Sequence, residues 1–181
     1  CIRDRLIDKP QIEETIKKIA ASIQTEYEGK NPLLVAIMKG SFVFLSDLIR
    51  QLSVDLEIDF IRVSSYGCGT LSSGEVRLIH DTVMDVKGRD VIVIEDIVDT
   101  GITTNFVCRH LREKGAATLK LCTLLNKPSR RQVDIQIDYQ GLAIPDKFVV
   151  GYGLDCAEKY RNLPAIFFIE EGESCNRKKP N

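Results

Sequence analysis

Three acids, Glu95, Asp96 and Asp99, stand directly before a threonine–glycine turn, Thr100-Gly101-Ile102-Thr103-Thr104. The apolar run Val91–Ile94 leads into them and reads as a buried strand, and a helical pattern follows them. The end of a buried parallel strand is where open α/β sheets place ligands. A Gly/Thr loop at a helix start offers backbone N–H groups, hydroxyls and the positive end of a helix dipole, which suit a phosphate. The acids would repel that phosphate unless they face hydroxyls or a metal ion. A phosphorylated sugar satisfies both halves, with its hydroxyls toward Glu95 and Asp96 and its phosphate on the loop. Neither G-x-x-x-x-G-K-[ST] nor G-x-G-x-x-G occurs, which sets aside the phosphate loop of ATPases and the dinucleotide fingerprint.

Other polar groups stand at the ends of apolar runs. Met38-Lys39-Gly40-Ser41 follows one, so Lys39 is a candidate anion contact and Gly40 a candidate for an unusual φ. Leu125-Asn126-Lys127-Pro128 puts a lysine just past another. Lys147-Phe148-Val149-Val150-Gly151-Tyr152-Gly153-Leu154-Asp155 runs from an apolar strand through glycines to an acid. In such a strand Phe148 is ordinarily core, and Asp155 with Arg161 also reads as a local ion pair.

The elements that must position these residues follow from spacing. Ile12, Ile16, Ile19, Ala20, Ile23 and Tyr27 make one helical face, and Asp8 with Gln11 forms a capping box at its start. Strands are expected at Leu33–Met38, Leu56–Tyr66, Glu75–Asp81, Val91–Glu95, Thr118–Asn126, Phe148–Tyr152 and Ile166–Glu170. Helices are expected at Phe42–Leu52 and Thr103–Lys114, the latter ending at Gly115. This alternation predicts an α/β fold: a doubly wound, mostly parallel sheet flanked by helices. Gly67–Gly74 is small and polar and reads as a mobile antiparallel lid loop.

The chain has 181 residues, enough for one domain with a small appendage. The expected core is about 30–150, with a small hood from about 1–12 and 150–172 and a flexible tail over 173–181. Lysine plus arginine number 25 against 26 acids, which argues against a nucleic-acid partner. No apolar run approaches the roughly 18 residues of a membrane span, and no signal-peptide pattern opens the chain. The six cysteines form no C-x-x-C pair and there are two histidines, so a zinc site is not expected. Cys108 and Cys122 read as core, Cys68 lies in the glycine-rich loop, and a reducing, cytoplasmic setting fits the set.

Together, K-G-S, S-S-Y, V-I-V-I-E-D-I-V-D-T-G, L-N-K-P, K-F-V-V-G-Y-G-L-D and E-K-Y-R-N-L-P resemble the hypoxanthine(-guanine) phosphoribosyltransferases of the type I phosphoribosyltransferase family. The likeness spans roughly residues 5–170, and V-G-Y-G-L-D-x-A-E-K-Y-R-N-L-P is similar to the shorter bacterial-type members.

The resemblance implies a set of roles. Glu95 and Asp96 would hold the ribose hydroxyls, partly through Mg²⁺, and Asp99 would be the acid/base group facing purine N7. Asp99, Thr100, Gly101, Ile102 and Thr103 would cradle the 5′-phosphate. Lys39, Gly40 and Arg161 would bind pyrophosphate, with a cis peptide expected at Lys39–Gly40. Ser65 and Tyr66 would belong to the lid. Lys127 would donate to the purine O6, Phe148 would stack on the base, the Val149 backbone would read its edge, and Asp155 would sit on a Mg²⁺ bound to pyrophosphate. Ile102 departs from members that carry lysine there, and Cys156 stands where many carry tyrosine.

The implied reaction is purine salvage: 5-phosphoribosyl 1-diphosphate with hypoxanthine or guanine gives IMP or GMP and pyrophosphate. No membrane partner is implied, and a homodimer or homotetramer is. Two alternatives remain at this level: a phosphoribosyltransferase for adenine, xanthine or a pyrimidine, and an RNA-binding regulator on the same fold.

Overall fold

Leu33, Val35 and Ile37 belong to one buried cluster and Leu34 and Ala36 to another, although all five lie in one strand. A strand apolar on both faces needs cover on both sides, and that requirement sets the layering. The structure, a computed structural model, describes residues 4–65 and 76–169. In chain order its elements are β1 (Asp4–Ile7), α1 (Lys9–Glu26), β2 (Leu33–Met38), α2 (Phe42–Ile49), β3 (Glu57–Ser65), β4 (Val76–His80) and β5 (Asp90–Val98). Then follow α3 (Ile102–Glu113), β6 (Thr118–Asn126), a 3-10 turn (Pro128–Arg130), β7 (Tyr139–Ala143), β8 (Phe148–Val150) and β9 (Ile166–Ile169).

The large sheet has the order β4-β3-β2-β5-β6-β7. Its pairings are parallel except β3–β4. From β2 the chain winds outward to β3, then returns to β5 and winds the other way to β6 and β7. The winding reverses between β2 and β5, the place where such sheets open a crevice at their carboxyl ends. Helices α1 and α2 bury Ile12, Ile23, Phe44 and Leu48 with Leu34, Ile92 and Leu124 on one face. Helix α3 buries Val107, Cys108 and Leu111 with Leu33, Val93 and Leu121 on the other. The expected α/β architecture is therefore the one observed. A second, antiparallel sheet of order β1-β9-β8 joins the two ends of the described chain.

The capping box at α1 is reciprocal: Gln11 N–H donates to Asp8 Oδ1 at 2.9 Å, and Asp8 N–H donates to Gln11 Oε1 at 3.0 Å. Several boundaries differ from expectation. Helix α2 stops at Ile49, three residues short of Leu52. Strand β5 continues past Glu95 to Val98, because Ile97 and Val98 pair with Leu125 and Asn126 of β6. Strand β7 has no counterpart among the expected elements. Its central Gly141 suggests a turn, but a Cβ there would lie 2.3 Å from the Leu124 carbonyl oxygen, so glycine lets β7 close on β6. Among the described residues no helix is long and apolar enough to cross a membrane.

Candidate active site

At the carboxyl ends of β2, β5 and β6, where the winding reverses, a cavity of about 330 Å³ opens. Lys39 and Gly40 line it from the turn after β2, Asp96 and Asp99 from the end of β5, and Lys127 from just past β6. Phe148 and Val149 of β8, and Asp155 and Arg161 beyond it, close the other wall. A larger cavity of about 750 Å³ lies between α1, α2 and residues 152–164, and shares only Arg161 with the first. The chemistry gathers in the smaller one, so size does not identify the site here.

Glu95 and Asp96 are nearly buried, 7 % and 8 % exposed. Thr104 of α3 donates to Glu95 Oε2 at 3.4 Å, and Asp96 Oδ1 accepts from the Ile97 N–H at 3.0 Å. Burial, with the Asp96 charge beside it, holds the Glu95 carboxyl well above the usual carboxylate range, and burial raises Asp96 as well. Asp96 lines the cavity. Glu95 contacts α3 and does not line it.

Asp99 stands between two cations. Lys127 Nζ lies 3.6 Å from its Oδ2, and Arg130 Nε lies 3.3 Å from its Oδ1. The second contact is too poorly aligned for a hydrogen bond, and Oδ1 is buried without a hydrogen-bond partner. Asp146 completes the group, 3.9 Å from Lys127 Nζ and 3.8 Å from Arg130 Nη1. The Lys127 side chain is only 5 % exposed, a position an ammonium holds at low cost only with carboxylates beside it.

The loop after Asp99 rests on the segment after β6. Gln132 and Val133 N–H groups donate to the Thr100 carbonyl at 2.9 and 3.2 Å. Gly101, with φ +84°, is the N-cap of α3 and brings no side chain to cap it. The Ile102 N–H meets only Thr100 Oγ1, at 3.4 Å. A Cβ on Gly101 would approach Val133 O at 3.0 Å and Arg131 Cδ at 3.1 Å, so both its φ and its surroundings require glycine. Arg131 underlies the loop, donating to Asn126 Oδ1 and, at 3.4 Å, to Val98 O. Thr100, Gly101, Ile102 and Thr103 thus form a helix-start loop directly after Asp99, with first-turn N–H groups that the helix itself leaves unpaired, although none of the four lines the cavity itself.

On the opposite wall, Gly40 does not have a positive φ. Its reason is space: a Cβ would lie 1.8 Å from Asp96 Oδ2. Gly153, φ +96°, is likewise closed on the Gly40 carbonyl, 2.2 Å from where its Cβ would be. The cis peptide is Met38–Lys39, so the expectation of a cis Lys39–Gly40 bond is corrected by one residue. Arg161 donates from Nη1 to Gly153 O at 2.7 Å and pairs through Nη2 with Asp155 Oδ1 at 2.7 Å. Lys39 Nζ lies 2.9 Å from Glu158 Oε2.

Phe148, ordinarily core in an apolar strand, is 49 % exposed, with its ring at the cavity. Val149 is buried and pairs with Phe168, which leaves β8 an edge strand with one side of its backbone outside the sheet. Ser65 ends β3, its backbone paired with Val76. Tyr66, the Gly67–Gly74 segment with Cys68, and the tail lie outside the described residues. Cys108 and Cys122 are buried and free, as expected of core residues. Cys156 is disulfide-bonded, which a uniformly reduced set of cysteines did not anticipate.

Sequence reasoning missed Arg130, Arg131, Asp146 and Glu158. The signal for the first two was a pair of arginines one residue past L-N-K-P. For Asp146 it was an acid in the Pro145-Asp146 turn before an apolar strand. Glu158 lay inside a quoted stretch without a role.

Residues 3–157 match the phosphoribosyl transferase domain family. The hypoxanthine-guanine phosphoribosyltransferase of Bacillus subtilis is 47% identical over 161 residues, covering 89% of this chain and 89% of its own. The bifunctional protein TilS/HprT of Listeria monocytogenes is 49% identical over 93% of this chain, which spans only 26% of that longer protein. A crystal structure of a hypoxanthine-guanine phosphoribosyltransferase from Bacillus anthracis superposes with a TM-score of 0.89 at 48% identity, covering 94% of this chain and 100% of that one.

Proposed function

Because this chain belongs to the phosphoribosyl transferase domain family, we propose that it moves a 5-phosphoribosyl group from 5-phosphoribosyl 1-diphosphate to N9 of hypoxanthine or guanine. The products are IMP or GMP and pyrophosphate, a step of purine salvage. One observation carries the choice of base: a buried ammonium, Lys127, stands 3.6 Å from Asp99 with the exposed Phe148 ring in the same cavity. A flat ring, an amine donor and a carboxylate acceptor complement a 6-oxopurine through its face, its O6 and its N7–H.

In this reading N9 bonds to C1 of the ribose as the C1–O bond to the diphosphate breaks. The N7 proton passes to Asp99. Thr100, Gly101, Ile102 and Thr103 hold the 5′-phosphate by backbone N–H groups and hydroxyls. Lys39, the Gly40 backbone and Arg161 face the departing diphosphate, whose growing charge they stabilise. Phe148 stacks on the base, and the free edge of β8 at Val149 reads its rim. Ser65 and Tyr66 belong to a segment that would exclude water from the ribosyl centre.

Among the described residues no cluster of three acids, histidines or cysteines forms a metal cage by itself. The donors fit Mg²⁺ in its usual style, one or two carboxylates completed by substrate oxygens. Asp96 is a hard oxygen donor on the cavity wall, with Glu95, turned toward α3, behind it. Their burial disfavours two bare charges, and a divalent ion held by Asp96, with Glu95 reaching it only by turning, would relieve that. Asp155 is the third candidate, on the diphosphate side. When bound, the ion would neutralise developing charge on the leaving diphosphate.

The proposal extends to architecture. The β1-β9-β8 sheet, with segments near 1–12 and 150–172, forms a hood over a core of about 30–150, and the active form is a homodimer or homotetramer. A cytoplasmic setting suits the chemistry, and its reducing conditions would open the Cys156 bridge.

The test is pyrophosphate release from 5-phosphoribosyl 1-diphosphate with hypoxanthine, guanine and adenine in turn. The 6-amino group of adenine offers no acceptor for the Lys127 ammonium in place of O6, and a buried donor left unpaired rejects such a ligand strongly, by as much as about 10⁴-fold. Lys127→Ala is expected to lose the oxopurines without gaining adenine. Equal turnover of adenine and hypoxanthine by the wild type would overturn the assignment of Lys127 and the choice of base.

A further inference from the structure

An acid of this chain already sits where the diphosphate is proposed to lie. Glu158 Oε2 is 2.9 Å from Lys39 Nζ and 3.5 Å from Arg161 Nη2, bridging the two cations of that corner. The turn carrying it is built rather than loose. The Glu158 N–H donates to Asp155 Oδ2 at 2.8 Å, and Cys156 and Lys159 exchange two backbone hydrogen bonds of 3.1 Å. Ala157, Glu158 and Tyr160 take φ of +52°, +64° and +76°, a region that residues with a Cβ rarely enter. A carboxylate meant only to solvate a loop tip needs none of this. The ammonium of Lys39 also holds the Glu158 carboxyl below the usual range.

We propose that Glu158 sets the affinity of the diphosphate site. Without ligand its carboxylate stands in for a phosphate oxygen between Lys39 and Arg161, and it swings out when the polyanion arrives. The Glu158 side chain is 66% exposed, so water is there to receive it. On product release it returns, and its contacts offset those that pyrophosphate gives up. The inference rests on Lys39 and Arg161 belonging to the diphosphate site, as proposed above.

Calorimetric titration of magnesium pyrophosphate into wild type, Glu158→Gln and Lys39→Met separates the two ideas. Glu158→Gln removes the competing anion while keeping size and hydrogen bonding. An exposed ion pair is weak, so the expected gain is about two- to fivefold tighter pyrophosphate. That gain should shrink as salt is raised, and IMP affinity should stay unchanged. Lys39→Met should weaken pyrophosphate. If it does while Glu158→Gln binds pyrophosphate equally or more weakly, Glu158 is not a competing anion and the proposal falls, though the diphosphate site stands. If Lys39→Met leaves pyrophosphate affinity unchanged, the site assignment fails and the role of Glu158 goes with it.

Discussion

Gly40, in the turn after β2, and Asp96, in β5, leave no room for a methyl group between them. At this scale the site is a matter of contacts a few ångströms long. Lys39, Asp99, Lys127, Phe148 and Asp155 were legible as candidates because each stands at or near an end of an apolar run, and Arg161 only through the likeness of E-K-Y-R-N-L-P to a known family. Their partners were not: Glu158 lies 119 residues from Lys39, and nothing in local spacing pairs them. Asp99 carries the sharpest prediction. Its Oδ1 is a buried acceptor without a hydrogen-bond partner, suited to take a proton from the base. Asp99→Asn keeps the shape and removes that capacity, so kcat should fall by about 10²–10⁴-fold. The dissociation constant of the phosphoribosyl donor should change little, because the donor's own contacts remain. A kcat within a few-fold of wild type would remove Asp99 from the proton transfer.

Helix α3 is held from both ends, by the Gly101 loop at its start and by Asp81 near its finish. Asp81 follows β4, just past the undescribed segment. Its Oδ1 accepts from His110 Nε2 at 3.0 Å, and its Oδ2 from Lys114 Nζ at 3.0 Å. Burial pushes Asp81 up, but the hydrogen bonds from Lys114, His110 and the Thr82 N–H outweigh it and leave the carboxyl below its ordinary value. A lowered folded-state pKa means the unfolded chain takes up the proton first. The stability Asp81 contributes is therefore full above the ordinary aspartate value of about 3.9, and is lost as pH falls through the lowered folded value. Urea midpoints measured from about pH 6 down to about pH 3 should show a shallower acid slope in Asp81→Asn than in wild type. Identical slopes would mean that this clamp does not stabilise α3. The helix was legible from its apolar face. The clamp was not, because 29 residues separate Asp81 from His110.

The fold places two of its acids where a carboxylate costs most. Glu95 and Asp96 sit at the winding reversal, almost out of water and side by side. The ligand-free fold bears their desolvation, and sites of this kind trade stability for function. Glu95→Gln removes a buried carboxyl and keeps an acceptor for Thr104. It should raise the melting temperature of the ligand-free protein by about 2–4 °C, the shift that roughly 1 kcal/mol produces in a chain of this size. Turnover should fall in the same variant. A lower melting temperature would show that Glu95 stabilises the fold after all.

The sequence by itself determined the α/β class, the strands β2 and β6 to the residue, the capping box of α1 and the threonine–glycine turn that opens α3. Those are local properties: apolar period, turn residues and caps act within a few positions of each other. Tertiary structure decided that β2 and β5 are neighbours, which sets Lys39 and Gly40 against Asp96. It decided that β5 runs on to Val98 by pairing with β6, that Gly141 belongs to a strand, and that Phe148 is exposed in a cavity. It also chose the partners of every buried charge. The physical reason is the same each time: strand pairing and charge pairing are settled by what the closed chain brings within a few ångströms, and local pattern carries no record of that distance.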